Sequence, residues 1–332
     1  KKATVNWCPS CKTVLSNEQV ISDKCERCTT PVEKRQMEQW FFRITDYAEK
    51  LLKNLEWIDW SEVVKTGQRY WIGKSEGINI TYDIEKTDKK ITVYSTRPDT
   101  NFGATFIVVA PESDFVAQNK DFFTDKKEIE KYIEESKKKS DIERIAEGRK
   151  KTGVFTGLYA INNLNNRQMP IYVSDFVLAS VGTGAVVGVP GSDVRDFEFA
   201  KEKGLDIIRV VVGPDGDKSL ITKKEQVQEE AGVMINSDFL DGMEIHAATE
   251  KIKDYIEKKG WGKRTVNYKL RDWCVSRQRY WGPPIPMIFC EQCGWQPVPE
   301  KDLPVLLPEV EDFLPDGSGK GPLNKVKSFL EA

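Results

Sequence analysis

Histidine is nearly absent: the chain of 332 residues has one, His246. Relays of the Ser-His-Asp or Cys-His kind need an imidazole beside the nucleophile. His246 stands at a plausible helix start and reads as a surface or capping residue, so no such relay can be assembled. Long apolar runs are absent too. No stretch nears the roughly 20 residues that cross a membrane, and no membrane partner is expected. The opening Lys1-Lys2-Ala3-Thr4-Val5 lacks the apolar stretch of a signal peptide. There is no initiator Met, and Val5-Asn6-Trp7 already reads as folded chain, so an internal piece of a longer protein is expected. The net charge is only −2, which removes the bulk basic field that announces a nucleic-acid partner but leaves local basic contacts open. Internal repeats and low-complexity tracts are also missing.

What is present is a globular composition. Hydrophobic residues make up 39% and aromatics 10%, enough to bury real cores, and the length suggests two or three domains. Charged residues, at 31%, exceed the usual share of about a quarter and imply a well-solvated surface. Of seven cysteines, six stand in CxxC pairs. That pattern argues for metal binding in a reducing compartment, the cytoplasm, rather than for a disulfide framework.

The patterning gives a coarse map. Met37, Trp40, Phe41, Ile44, Ala48 and Leu51 recur at helical spacing. Ile78, Ile80, Tyr82 and Ile84 alternate with polar residues as a half-buried strand does, and Thr87-Asp88-Lys89-Lys90 reads as a turn into a partner strand at 91–94. Buried strands are expected at 106–110 and 207–212. Residues 128–151, dominated by Lys and Glu, read as a solvated helix. The run from Val181 to Pro190 is small and apolar, a strand whose glycines permit close backbone approach. Helices are expected from Ser192 to about Lys203 and from Thr249 to Lys259.

Cys8-Pro9-Ser10-Cys11 and Cys25-Glu26-Arg27-Cys28 are two knuckles separated by 13 residues. Each places two sulfurs on one side of a tight turn, and two turns close a tetrahedral zinc shell. Four thiolates leave no open position, so the expected role is structural. A third knuckle, Cys290-Glu291-Gln292-Cys293, has no partner. It is either a pair of free thiols or half of a site completed beyond Ala332. Cys274 is isolated and reads as packing.

Two segments carry candidate chemistry. Ser95-Thr96-Arg97-Pro98-Asp99-Thr100 follows a predicted strand. Its bare reading is a strand end and a Pro turn, but its three hydroxyls could act at one small site, with Asp99 holding the loop by accepting backbone N–H bonds. In Pro190-Gly191-Ser192-Asp193-Val194-Arg195-Asp196 the bare reading makes Ser192 a helix cap, with two aspartates complementing the helix dipole. In the functional reading Asp193 and Asp196, three apart on one helix face, bind an ammonium group. Arg195 then holds a phosphate or braces a carboxylate.

STRPDT followed by NFGAT, together with GTGAVVGVPGSDVRDFEFA, resembles the two hallmark segments of the leucyl-tRNA synthetase editing domain. Asp99 and the run Arg195 to Phe199 separate it from the valyl and isoleucyl relatives. The resemblance spans essentially the whole chain. It implies hydrolysis of wrongly charged leucine tRNA, with norvaline or isoleucine esters as substrates. Asp196 is implied to anchor the α-amino group, and Thr100 to exclude leucine by bulk. Thr96 and Ser95 are implied to position water and stabilise the transition state. Arg97 matches the arginine of the same loop, while Val187 and Val189 match walls of the amino-acid pocket. Ser95 stands for the family's usual Thr, Ser192 for its His and Val187 for a frequent Met, so specificity is the property these departures touch. Without a histidine base, an ordered water attacking an already activated ester suffices.

Farther on, Val266 to Trp273 and Ser276-Arg277-Gln278-Arg279-Tyr280-Trp281-Gly282 form a basic-aromatic strip. On physics alone it could stack on RNA or pack as a cation–π cluster. The resemblance makes Arg277, Arg279, Tyr280 and Trp281 part of the synthetic active-site wall near the tRNA end. The family's HIGH and KMSKS signatures do not occur, so ATP and magnesium are expected only of a full-length parent, and a monomer is expected. The implied architecture is α/β. A zinc-binding module at 1–35 and a helical part of the catalytic core at 36–70 come first. A mixed β-barrel-like editing domain follows at 71–264, and an incomplete return to a Rossmann-type parallel-sheet domain occupies 265–332. The competing reading is a non-catalytic zinc-ribbon module that docks tRNA.

Overall fold

The computed structural model describes residues 1–137, 139, 143–144, 146, 148–179, 181–280 and 284–331. The chain forms two compact units, one from Lys1–Lys53 with Leu270–Ala332, the other from Asn54–Lys269.

The larger unit is built on a seven-stranded sheet. Its strands are β1 (Lys74–Ile84), β2 (Lys90–Ser95), β3 (Phe106–Val109), β4 (Val154–Ile161), β5 (Gln168–Val173), β6 (Ala185–Gly188) and β7 (Gly262–Tyr268). Their order is β6-β3-β5-β4-β1-β7, with β2 also bonded to β1. Only β5 and β3 run parallel; the other pairs are antiparallel, so the sheet is mixed. β6 also packs alongside β2, which curls the sheet back on itself.

The alternation in β1 is the reason it lies as it does. Ile78, Ile80, Tyr82 and Ile84 are buried, while Asn79, Thr81 and Asp83 face away. A strand's period of two puts the first set into one core. That core continues through Ile107 and Val109 of β3, Ile171 of β5 and Ile252 of a covering helix. The helices of this unit include α1 (Lys126–Lys137), α2 (Val194–Lys203) and α3 (Ile245–Lys258). None of the helices in the described residues is long and apolar enough to cross a membrane.

The expected close approach near β6 is present. A Cβ on Gly188 would lie 2.2 Å from the ring of Phe106, which itself packs on Phe199 of α2. Gly188→Ala must displace that ring, so it should cost about 1–3 kcal/mol. Thermal unfolding checks this, and an unchanged melting temperature would refute the packing argument.

The smaller unit holds short antiparallel strands. Lys2–Cys8 lies between Thr13–Leu15 and Glu33–Glu38. Phe41–Phe42 pairs with Trp273–Cys274, and Met287–Cys290 with Gly294–Pro297. The strand pairings described in 265–332 are all antiparallel.

Several expectations are corrected. The helix expected over 37–51 is confined to Ala48–Asn54, with a 3-10 turn at Ile44–Tyr47 before it. Met37 instead pairs with Ala3 and packs against a core of Val5, Trp7 and Val14. Cross-strand pairing there overrides the local spacing. The strand expected at 207–212 shrinks to Val211–Val212, paired with Val233–Met234. The charged helix ends at Lys137, and much of its expected second half lies outside the described residues.

Candidate functional site

The STRPDT segment leaves the end of β2 as a self-bonded loop. Arg97 N–H donates to Ser95 Oγ at 3.1 Å, which turns the chain. Pro98 then opens a 3-10 turn, Pro98–Gly103, in which every residue is buried. Within it, Thr100 Oγ1 donates to the Arg97 carbonyl at 2.8 Å. Ser95 is half-buried and Thr96 exposed.

Asp99 is fully buried and accepts from the Arg97 guanidinium, Nε at 3.0 Å and Nη2 at 2.7 Å. Thr249 of α3 adds a third bond, its hydroxyl lying 3.0 Å from Oδ1. Asp99 thus holds the loop through side chains, where backbone N–H donors were expected. A buried carboxylate needs charge-assisted partners, and a bidentate guanidinium with a hydroxyl supplies them.

The second segment follows β6. Asp193, not Ser192, caps α2, accepting from Arg195 N–H at 2.8 Å and Asp196 N–H at 3.1 Å. A carboxylate serves a helix N-terminus better than a hydroxyl because it also meets the dipole. Arg195 is exposed and braces Asp193, with Nη2 3.0 Å from Oδ2. Ser192 Oγ is buried and has no partner among the described residues. Asp196 is also buried, 8% exposed, and accepts from Val189 N–H at 2.9 Å. Burial, then the negative charge of Asp193, pushes its carboxyl up to about 8. A pKa perturbed that far by desolvation marks a candidate functional group. Val187 is buried in the main core, and the partly buried Val189 packs against the same core.

The two segments meet. Thr105 N–H, just past the first loop, donates to the Gly188 carbonyl at 3.0 Å. Arg97 Nη1 donates to the Glu229 carbonyl. Val194 N–H, at the start of α2, donates to Glu229 Oε1 at 3.0 Å. Glu229 and Thr249 were not anticipated from the sequence. They sit 132 and 150 positions from Arg97 and Asp99 and belong to no motif.

In the smaller unit the sulfurs of Cys8, Cys11, Cys25 and Cys28 all lie within 4.8 Å of one another. Cys8 and Cys28 are 3.4 Å apart, and Cys11 N–H donates to Cys8 Sγ at 3.2 Å. A tetrahedron with metal–sulfur bonds of about 2.3 Å has edges of about 3.8 Å, so these four thiols can hold a metal ion. Cys290 and Cys293 lie at the turn of their own hairpin. Backbone N–H groups of Cys293 and Gln292 hold the Cys290 thiol below its ordinary range. Arg277 and Arg279 line a cavity of about 240 Å³ with Val14, Leu15 and Gln19. Tyr280 donates its hydroxyl to the Pro308 carbonyl. Trp281 lies outside the described residues.

The family described as leucyl-tRNA synthetase, editing domain, matches residues 69–257, which include both segments. The chain belongs to the leucyl-tRNA synthetase family. A second match, to class I tRNA synthetases (I, L, M and V), covers residues 244–301. The leucine–tRNA ligase of Alkaliphilus oremlandii is 47% identical over all of this chain and 41% of its own length. That of Thermotoga maritima is 50% identical, over 99% of this chain and 40% of its own. The chain therefore spans about two fifths of the curated leucyl-tRNA synthetase relatives it matches. Among solved structures, the Agrobacterium radiobacter K84 agnB2 LeuRS, in a ternary complex with tRNA and LeuAMS, is similar at a TM-score of 0.74. It is 35% identical, and the match covers 100% of this chain and 37% of that one.

Proposed function

We propose that the larger unit performs post-transfer editing, hydrolysing the ester between a wrong amino acid and leucine tRNA. The observation that carries this reading is the meeting of a hydroxyl-bearing loop with a helix start that holds a buried acid, Asp196, through Glu229 and Gly188. In this reading Asp196 takes the ammonium of the misattached amino acid, with Val187 and Val189 as pocket walls. Ser95 and Thr96 place the attacking water and stabilise the oxyanion that develops. Arg97 and Asp99 lock each other and fix the loop. Asp193 and Arg195 do the same for the start of α2.

Thr100 works through bulk. Its hydroxyl is already engaged by the Arg97 carbonyl, which leaves its volume as the means of turning leucine away. Steric rejection of this kind supplies the second sieve that a synthetic site needs when one methylene is worth only about 1–3 kcal/mol. Thr100→Ala should therefore make correctly charged leucyl-tRNA a substrate, raising its hydrolysis by about tenfold to a hundredfold. Leucyl-tRNA that stays intact with this variant would show the filter to lie elsewhere. The experiment that tests the whole reading compares hydrolysis of norvalyl- or isoleucyl-tRNA(Leu) with that of leucyl-tRNA(Leu) by this chain.

The same reading assigns Cys8, Cys11, Cys25 and Cys28 to a structural zinc, and Arg277, Arg279, Tyr280 and Trp281 to the surface along the tRNA end. In the longer family protein, a Rossmann-type domain would add ATP- and magnesium-dependent ligation of leucine, in the cytoplasm and as a monomer. A non-catalytic docking module, or a valyl- or isoleucyl-type editing domain, is not favoured, because the sequence carries both Thr100 and Asp196 and the family match is to the leucyl enzyme.

A further inference from the structure

We infer that Glu229 is a positioning residue of the editing site, clasping the Arg97 loop to the start of α2. The inference rests on the editing reading above. Glu229 belongs to neither hallmark segment, yet it touches both. Its carbonyl accepts from Arg97 Nη1, and its carboxylate accepts from Val194 N–H at 3.0 Å. The preceding residue adds a third tie, Gln228 N–H donating to the Gly191 carbonyl at 3.4 Å. Residues 228–229 thus strap the turn ahead of α2 at two points and the loop at one. Glu229 itself is exposed, so its carboxylate is not needed to fill a core. What it does is satisfy an N–H at a helix start that has no intrahelical partner, and so fix where Asp196, two residues on, points.

The clasp also places a negative charge beside that acid. The charged groups that act on Asp196 are Asp193, Arg195 and Glu229, and the two acids both oppose its ionisation. Asp196 must be a carboxylate to hold an ammonium group. Removing the Glu229 charge favours that form, so the acidic limb of the hydrolysis profile moves to lower pH.

Two variants of this chain separate geometry from charge. Glu229→Gln keeps an acceptor for Val194 N–H and loses the charge, whereas Glu229→Ala loses both. Hydrogen exchange over residues 95–104 and 190–199 reads the clasp without any substrate. Hydrolysis of isoleucyl-tRNA(Leu) across pH reads its effect on the reaction. E229A should speed exchange of the Val194 amide by about tenfold and lower kcat more than it raises KM. E229Q should restore both, with its acidic limb displaced downward. The inference is overturned if E229A exchanges and reacts like the parent, if E229Q is as impaired as E229A, or if the limb stays where it was. A parent chain that hydrolyses nothing while E229A still loosens both segments would sink the editing reading and leave the clasp standing.

Discussion

An Asp196→Asn chain should be more stable than its parent near pH 8, and should hydrolyse isoleucyl-tRNA(Leu) at least about a hundredfold more slowly. Both effects have one cause. In the folded chain the Asp196 carboxyl is pushed up to about 8, against about 3.9 in the unfolded chain. Between those values the folded state holds a proton that the unfolded state has released, so stability falls as pH rises from about 4 to about 8. Asparagine does not titrate, and its carbonyl can still accept from Val189 N–H. The variant's advantage should thus be nil below about pH 4 and grow with pH to at most about 5–6 kcal/mol above pH 8. Urea unfolding measured across pH checks it. A constant difference between the two proteins would mean that burial does not perturb this group. The lost activity follows because a neutral amide offers an ammonium ion a hydrogen bond without the charge that strengthens it. A buried acid that weakens the fold and is nonetheless kept matches the trade between stability and function seen at active sites.

Removal of the proposed zinc should have the second large effect. The cysteine cluster sits among very little apolar packing, chiefly Leu15 with Val20 and Val32. The four sulfurs lie within 4.8 Å of one another, so as thiolates they repel one another and need a cation to coexist. Structural zinc supplies an apparent 10–16 kcal/mol, roughly, at neutral pH, more than so small a core can replace. A strong chelator, or Cys8→Ser, should leave residues 1–35 open to protease while the Asn54–Lys269 unit stays resistant. Metal analysis should give about one zinc per chain before chelation. A digestion pattern unchanged by the chelator would show that no metal holds this module together. Because the ligands must be deprotonated, the metal should be lost progressively as pH falls.

The elements that were legible in the sequence carry their reason locally. The β1–β2 hairpin follows from strict alternation, and α3 is expected over 249–259 but starts four residues earlier, at Ile245. The close approach at Gly188 follows from a run of small residues that leaves room for Phe106. The elements that were misread are those where a distant partner prevails. The helical spacing of 37–51 loses to strand Lys2–Cys8, because pairing with that strand packs Met37 against Val5, Trp7 and Val14. The cap is a local exception: Ser192 has the residue type of a cap, but the next residue, Asp193, reaches two N–H groups and the dipole together. The site divides in the same way. STRPDT and GSDVRD stand out as segments, yet neither says what its acids will touch. The loop sequence suits Asp99 to accept backbone N–H bonds, whereas the fold holds it by Arg97 and Thr249.

By itself, then, the sequence determined the β1–β2 hairpin, the two chemistry-bearing segments and the paired cysteine knuckles, since each depends on residues only a few positions apart. Tertiary structure alone decided that the loop and the helix start meet, that Glu229 joins them and Thr249 holds Asp99, and that Asp196 lies deep enough to resist ionisation. Desolvation and contact depend on which remote pieces of chain close over a group, and no local pattern records that.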